Sequence, residues 1–149
     1  MLLKGRLARD PSIRLQQDTI TRTETMKYLG VNLDERLGFR AHVEMARTKG
    51  EKVMLKLAGI GQRRFYIFLA TLQTYHNSIL SSIVGYGAGI WSHRVRDQQI
   101  KRKLRSSQRK VLLRFTGSFG TSPTLALFII LGIWPLDSQI RYKGALYWL

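Results

Sequence analysis

Apolar and other residues alternate with a period of two across residues 27–34. Leu29, Val31 and Leu33 fall on one side of this run, and the residues between them fall on the other. This pattern is typical of a half-buried strand. Upstream, residues 12–15 alternate in the same way, and residues 19–26 are rich in threonine, whose branched Cβ favours extended structure. Counting the apolar start of the chain, we expect three or four short strands before residue 39.

The spacing of apolar residues changes to that of a helix after these strands. The apolar positions follow one another in steps of four and three, at Phe39, Val43, Ala46, Gly50, Val53 and Leu57. This spacing predicts an amphipathic helix of about five turns, and Gly59 and Gly61 predict its end. Lys49, Lys52 and Lys56 lie on a separate face of the same helix, with no acidic residue beside them.

No Lys, Arg, Asp or Glu occurs in the 29 residues from Phe65 to His93. A run of this length could cross a bilayer, which needs about 20 predominantly apolar residues. Polar residues in the middle of the run and strongly basic flanks on both sides argue against a membrane span. We therefore expect a helix buried on most sides within a bundle, with close backbone approach or a bend at Gly85, Gly87 and Gly89. Its expected buried stripe is Phe68, Leu72, Tyr75, Ile79, Ile83 and Tyr86.

A third helix is predicted to start at Asp97, because an acidic residue in the first turn suits the positive end of the helix dipole. Its expected buried line is Ile100, Leu104, Val111 and Phe115, with Ser107 interrupting the line near its centre. The helix also carries the densest positive charge in the chain, on Lys101, Arg102, Lys103, Arg105, Arg109, Lys110 and Arg114. Like charges this close repel one another, so a bound phosphate backbone is the expected partner of this surface.

Two further helices are predicted in the remaining residues. Residues 121–123 are Thr-Ser-Pro, a start signal with a hydroxyl cap and a proline at the first helical position. The apolar run that follows is predicted to end at Gly132 and Pro135. Asp137 is predicted to cap the last helix.

Positive charge is in large excess and is concentrated in the middle of the chain. The 149 residues contain 25 Lys and Arg against 9 Asp and Glu, a net charge of +16. Residues 39–114 hold 16 basic and 3 acidic side chains, so they carry +13 of that total. An excess of this size attracts polyanions such as nucleic acid or an anionic membrane surface. We favour polyanion binding over the alternative that the charges only solvate helix faces.

The chain shows no pattern that predicts catalysis. The absence of cysteine excludes disulfides, thiol chemistry and cysteine zinc sites. Two-metal polymerase or nuclease chemistry needs carboxylates brought close together, but no two of the five aspartates are adjacent. His42, His76 and His93 are too far apart to form a ligand motif, and we expect structural roles for them.

The ordered motifs of the chain resemble the end of the reverse transcriptase domain of non-LTR (LINE-type) retrotransposons. The resemblance begins with residues 3–7, becomes clearest at residues 27–34 and extends over nearly the whole chain. Its further marks are Leu37, Phe39, His42, residues 85–88 with Trp91, Gln108-Arg109, residues 121–123 with Ala126-Leu127, and Gly132 with Pro135-Leu136. Members of this family often have a basic residue before Thr-Ser, where this chain has Gly120, so no nucleic-acid contact is expected at that position.

The resemblance implies three regions and a missing catalytic half. Residues 1–38 would be the last strands of the palm with a primer-grip-like hairpin, residues 39–95 the helical thumb, and residues 96–149 a basic helix and a truncated connector. The fold class expected is mainly α, a helical bundle preceded by a few short strands. The catalytic aspartates of the family lie upstream of these motifs. No cofactor is expected in this fragment, whereas the full-length enzyme would use a divalent metal, Mg²⁺.

The function predicted is that of a noncatalytic reverse transcriptase fragment that grips the template-primer backbone. Its partners would be RNA, an RNA–DNA duplex or DNA, together with the missing palm and fingers, and no membrane; if expressed, it would be intracellular. The predicted nucleic-acid contacts are Lys27, Gly30, Lys49, Lys52, Lys56, Arg63, Arg64, Lys101, Arg102, Arg105, Arg109 and Lys110. The alternatives are an independent basic helical nucleic-acid-binding or scaffold protein and a basic membrane-surface protein.

Overall fold

The computed structural model describes residues 13–15, 18–20, 22–64 and 69–149. Contacts divide the chain into two units, Met1–His42 and Val43–Leu149. The described part is mainly helical with a few short strands near its start, which confirms the predicted fold class. The predicted strand at the start of the chain lies outside the described residues, and the predicted region boundaries at residues 38 and 95 stay predictions.

The strands of the first unit form two antiparallel pairs within its described residues. They are β1 (Ile13–Leu15), β2 (Asp18–Ile20), β3 (Thr25–Tyr28) and β4 (Val31–Asp34). In the β3–β4 pair, Tyr28 lies opposite Val31 and Met26 opposite Leu33, so one face of the pair is apolar. The expected three or four strands included one at the start of the chain, outside the described residues, so that number stays a prediction. The prediction of one continuous strand over residues 27–34 is wrong.

A two-residue turn at Leu29 and Gly30 interrupts the predicted strand. Their φ angles are 45° and 82°, and two positive values in succession are typical of a type I′ hairpin turn. Glycine takes a positive φ without strain, whereas leucine rarely does. The register explains why the chain turns, because the hairpin places Met26 and Tyr28 beside the apolar residues of β4.

The Asp34 side chain binds the backbone of the segment that follows β4. Its carboxylate accepts the backbone N–H of Gly38 at 2.8 Å and of Phe39 at 2.6 Å. His42 is buried, and its Nδ1 accepts the backbone N–H of Asn32 at 3.3 Å. The expected structural role of His42 therefore agrees with its position in the first unit.

Helix α1 (Arg40–Arg64) continues past its predicted end. Gly59 does not take the positive φ that a glycine cap uses, so the helix runs through it. The buried positions also move by one residue after Gly50, from the predicted Val53 to Met54 and from Leu57 to Ala58. This shift follows from the helical period of 3.6 residues, which spreads an apolar stripe over neighbouring positions.

The buried helix predicted before the bend is not continuous in the part that the structure describes, from residue 69 onward. The chain forms α2 (Leu69–Tyr75), a π-helical turn (His76–Leu80), α3 (Ser81–Val84), α4 (Ala88–Trp91) and a 3₁₀ turn (Ser92–Arg96). The predicted bend is confirmed by the turn at residues 85–87. A π-helical turn contains an extra residue, which rotates the faces that follow it. Leu72 is buried as predicted, but after it His76, Leu80 and Val84 are buried, whereas Tyr86 is exposed.

Helix α5 (Gln98–Thr116) begins as predicted, because Asp97 accepts the backbone N–H of Gln99 at 2.8 Å. Ser107 is buried in its predicted line, and Phe115 is only partly buried. Helix α6 (Thr124–Leu131) ends at Gly132 as predicted, but Pro123 is its cap residue and not its first helical residue.

Helix α7 (Leu136–Tyr147) contradicts the predicted cap. Pro135 occupies the cap position, and Asp137 lies in the first turn with its side chain directed to α5. One apolar cluster of the second unit joins α2, α5, α6 and the residues just after α6, through Leu72, Leu112, Leu127, Phe128, Leu131 and Ile133. No single described helix is long and apolar enough to cross a membrane; α6 and α7 pass that test only together, across a bend of 58°.

Candidate nucleic-acid interface

One face of α1 presents three exposed lysines, which we call the α1 lysine face: Lys49, Lys52 and Lys56. At 3.6 residues per turn, they fall within an arc of about 60°. None of them makes an ion pair with another residue in the described ranges. The predicted exposure of this face agrees with the structure.

The acidic residues of α1 lie on a different side of the helix and face α5. Helical spacing places Glu44 and Glu51 more than about 100° from the centre of the lysine arc. Glu44 binds Lys103 at 3.1 Å and also pairs with Arg47. Glu51 binds Lys110 at 2.6 Å. These contacts join α1 to α5 and neutralise two of the basic residues of α5.

The carboxyl groups of Glu44 and Glu51 are both held in the charged form by their partners. The hydrogen bond from Arg47, supported by Lys103, lowers the pKa of Glu44. Burial acts in the opposite direction on Glu51, but hydrogen bonds from Lys110 and Ser107 outweigh it and lower the pKa of Glu51. Ser107 donates its hydroxyl to Glu51 at 2.9 Å, so the polar residue in the buried line of α5 serves the junction with α1.

Another side of α5 is bound to α7 through Asp137. The guanidinium of Arg105 donates two hydrogen bonds to the Asp137 carboxylate, at 2.9 and 3.0 Å. The Asp137 side chain is only 5% exposed, and Lys101 lies 3.9 Å from it. This hydrogen bond raises the pKa of Arg105. The structure therefore gives Arg105, a predicted phosphate contact, an intramolecular partner.

Arg109 is occupied by the loop before α6. Its guanidinium donates to the carbonyl oxygens of Gly120 and Ser122, at 2.5 and 2.6 Å, and to the Thr124 hydroxyl at 2.7 Å. Three acceptors on one guanidinium fix the loop against α5. Of the predicted contacts on α5, Arg102 is the one that is exposed and without an ion pair inside the described ranges.

A buried glutamine links three elements beside this charged helix. The Gln108 amide group donates to His76 Nε2 at 2.8 Å and to the Trp134 carbonyl at 3.0 Å, and its Oε1 accepts the Leu136 N–H at 2.9 Å. An Nε2 that accepts leaves the ring proton on Nδ1, where Asn77 Oδ1 lies at 3.2 Å. Burial lowers the pKa of His76, which favours this neutral ring.

The other predicted contacts belong to the first unit or have side chains outside the described residues. Lys27 is exposed on β3, and Gly30 forms the hairpin turn. The backbones of Arg63 and Arg64 belong to the end of α1, and their side chains lie outside the described residues. Within the described ranges, no three His, Asp or Glu residues come together to hold a metal ion.

Comparisons with known proteins give relatives of one kind. The chain is 28% identical, over 99% of its length, to a 115 kDa protein in the type-1 retrotransposable element R1DM of Drosophila melanogaster. It is also 28% identical, over 98% of its length, to a retrovirus-related Pol polyprotein from type-1 retrotransposable element R1 of Bradysia coprophila. The chain is related to the Pol proteins of non-LTR retrotransposons.

A third relative from a retrotransposon is named as a polymerase. The chain is 32% identical, over 72% of its length, to "Probable RNA-directed DNA polymerase from transposon X-element" of Drosophila melanogaster. The chain spans only 14%, 15% and 12% of the lengths of these three relatives. No family model and no solved structure matches it.

The positions that suggested the retrotransposon family have structural roles in this fold. Gln108 and Arg109 bind the residues around the two ends of α6, and Gly132 ends that helix. The sequence did not reveal this network, because its partners lie 11 to 32 residues apart along the chain. The available signal was the position of Gln108, four residues after Leu104 and three before Val111, on the apolar side of the helix.

Proposed function

We propose that this chain is a noncatalytic portion of a retrotransposon reverse transcriptase that holds a nucleic-acid duplex by its phosphates, using the α1 lysine face. The observation that carries the proposal is the exposure of three lysines in one arc without ion-pair partners in the described ranges. Phosphate contacts fix the position of a duplex and carry no base information, so binding without sequence preference is expected.

The length of the α1 lysine face suits a nucleic-acid backbone. Lys49 and Lys56 are separated by seven residues, which is about 10 Å along a helix. Successive phosphates of one strand advance by about 3.4 Å along the duplex axis. An α1 aligned with that axis therefore brings three lysines beside about three phosphates.

The basic residues of α5 support this assignment because several of them already bind other groups of the same chain. Its predicted contacts Arg105, Arg109 and Lys110 bind groups of the same chain, at distances from 2.5 to 3.0 Å. A guanidinium or ammonium that already binds a carboxylate loses that partner when it turns to a phosphate. The lysines of α1 have no such partner to give up among the described residues, which makes their face the more favourable one for phosphate.

The test is the salt dependence of duplex binding by the full chain. Fluorescence anisotropy with a labelled RNA–DNA duplex, between about 50 and 200 mM salt, should show affinity falling steeply. Lys52→Ala with Lys56→Ala should reduce the slope of log affinity against log salt by about 2, since each phosphate contact contributes about 0.9.

The matched control replaces Arg14 and Arg36, which are exposed in the first unit and lie outside the proposed surface. Arg14→Ala with Arg36→Ala removes the same charge and should leave the slope nearly unchanged. A flat salt response of the unmodified chain contradicts the proposal, as does an equal change of slope in the two double variants.

A further inference from the structure

A second basic surface lies between the α4 region and α7, far along the chain from the α1 lysine face. It is an open groove of about 620 Å³, to which α4 contributes Gly89 and Ile90, the 3₁₀ turn contributes His93 and Arg96, and α7 and the residue after it contribute Arg141 and Trp148. We propose that this groove binds single-stranded nucleic acid, with a base stacked on Trp148 and phosphate held by Arg96 and Arg141. This site is separate from the surface proposed above.

Close helix packing builds the groove. A Cβ at Gly144 would overlap the Ser92 side chain, and a Cβ at Gly89 would overlap the ring of Tyr147. The α4 region and α7 therefore approach more closely than larger residues would permit. The groove opens along this junction, so its two walls are held by helix packing.

Trp148 is exposed and yet anchored. The residue is 76% exposed. Its Nε1–H donates to the Gly89 carbonyl at 2.9 Å, and its ring meets Tyr147 edge to face with centroids 5.4 Å apart. An indole that is held at its edge and open to solvent offers a platform for a base, and its position is already fixed before binding.

The charges of the groove select an anionic ligand. Arg96 and Arg141 are exposed and make no ion pair with residues that the structure describes. No Asp or Glu lines the groove. Guanidinium groups bind phosphate through paired N–H donors, so the lining suits a phosphate backbone.

The combination of an aromatic platform and guanidinium groups favours a single strand over a duplex. In a duplex the base faces are covered by neighbouring bases, whereas an unpaired base exposes a face that an aromatic ring can stack on. Sites for small ligands span about 300–1,000 Å³, and the groove falls in this range. The volume of the groove therefore suits a short single-stranded segment.

The experiment measures binding of short labelled oligouridine and oligothymidine strands to the full chain, together with an abasic strand of equal length and charge. Trp148→Ala should weaken binding of the two base-containing strands by about 5- to 100-fold, because a stacked base contributes about 1–3 kcal/mol. It should leave the abasic strand unaffected. Trp148→Phe keeps a stacking ring and should bind nearly as the unmodified chain does.

The matched control for the ring is Trp134, which is 71% exposed and does not line this groove. Trp134→Ala should bind all strands as the unmodified chain does. Arg96→Ala with Arg141→Ala should weaken the abasic strand as well, by about tenfold or more, and by more than Arg14→Ala with Arg36→Ala. Circular dichroism of each variant verifies that its helices are intact.

Three results would overturn the assignment: no binding of either base-containing strand, equal losses for Trp148→Ala and Trp134→Ala, or an equal loss on the abasic strand. A preference for uridine or thymidine strands identifies RNA or DNA as the ligand, and both support the site. Duplex binding through the α1 lysine face is measured separately, so failure of one proposal leaves the other standing.

Discussion

Helices α1 and α5 both carry many basic residues, but they use them differently. Helix α5 has seven basic residues between Lys101 and Arg114, and several of them bind acidic side chains or carbonyl oxygens of neighbouring elements. The α1 lysine face has three, and all of them are exposed without ion pairs in the described ranges. The density of charge in the sequence is therefore a poor guide to a binding surface. The acceptors that packing brings to each cation decide its role.

If α5 is held by contacts within the chain, the largest expected effect is a fall in the free energy of unfolding when Gln108 of α5 is truncated. Gln108→Ala removes the partner of His76 Nε2 and of the Leu136 N–H in a buried environment, whereas the Trp134 carbonyl keeps its hydrogen bond from Gln139. Buried polar groups without partners cost about 1–3 kcal/mol each, so the free energy of unfolding should fall by about 3 kcal/mol. Urea denaturation measures this change.

The control for Gln108 is Gln99, an exposed residue at the start of the same helix. Gln99→Ala should change the free energy of unfolding by no more than about 0.5 kcal/mol. A loss below that value for Gln108→Ala would mean that α5 is not held by this network.

A smaller loss is expected when the ion pair between α5 and α7 is broken. Arg105→Ala leaves the carboxylate of Asp137, which is 5% exposed, without its bidentate partner. We expect a loss of about 2 kcal/mol in the free energy of unfolding, below the 3–5 kcal/mol of fully buried pairs because the Arg105 side chain is 40% exposed.

The same measurement on the α1 lysine face sharpens the comparison. Replacing Lys49, Lys52 and Lys56 together by alanine should change the free energy of unfolding by about 0.5 kcal/mol or less, since exposed cations without partners contribute little. If this triple variant is less stable than Arg105→Ala, the lysines have a structural role and the two helices do not differ as described.

The smallest effect concerns the acidic residues that join α1 to α5. The pKa of Glu44 and of Glu51 is lowered in the folded chain, so their stabilising contribution is present above the ordinary value of 4.5 and is lost as the pH falls through the lowered pKa values. We expect about 1 kcal/mol for the two together, because Glu44 is largely solvated.

Denaturation at about pH 6 and pH 3.5, compared between the unmodified chain and Glu44→Gln with Glu51→Gln, isolates this contribution. The lowered pKa of His76 also reduces stability as the pH falls below 6.5, but this loss occurs in both proteins and cancels in the difference. An equal response of both proteins to acid would show that the α1–α5 contacts do not stabilise the fold.

Local patterns in the sequence predicted the features that depend on neighbouring residues. The α1 lysine face followed from helical spacing alone, and the start of α5 at Asp97 from residues within one turn. The turn at Leu29 and Gly30 was missed because a residue rarely found at positive φ, Leu29, occupies it, and the period of two hid the reversal. The π-helical turn at His76–Leu80 was missed because no simple period marks an inserted residue.

The role of the basic residues of α5 could not be predicted, because their partners are far away in the sequence. Arg105 and Asp137 are 32 residues apart, and Lys103 and Glu44 are 59 apart. The sequence showed how many cations α5 has but not which acceptors the fold brings to them. For this reason Asp137 was assigned to a helix cap, although its carboxylate binds Arg105.

The most direct test of the difference between α1 and α5 is the acylation rate of individual lysines, measured by mass spectrometry with and without an RNA–DNA duplex. Lys49, Lys52 and Lys56 should react readily in the free chain and become protected when the duplex binds. Lys103 and Lys110 should keep the same rate in both states, because their ammonium groups bind Glu44 and Glu51. Protection of Lys103 and Lys110 without protection of the α1 lysine face would contradict the proposed function.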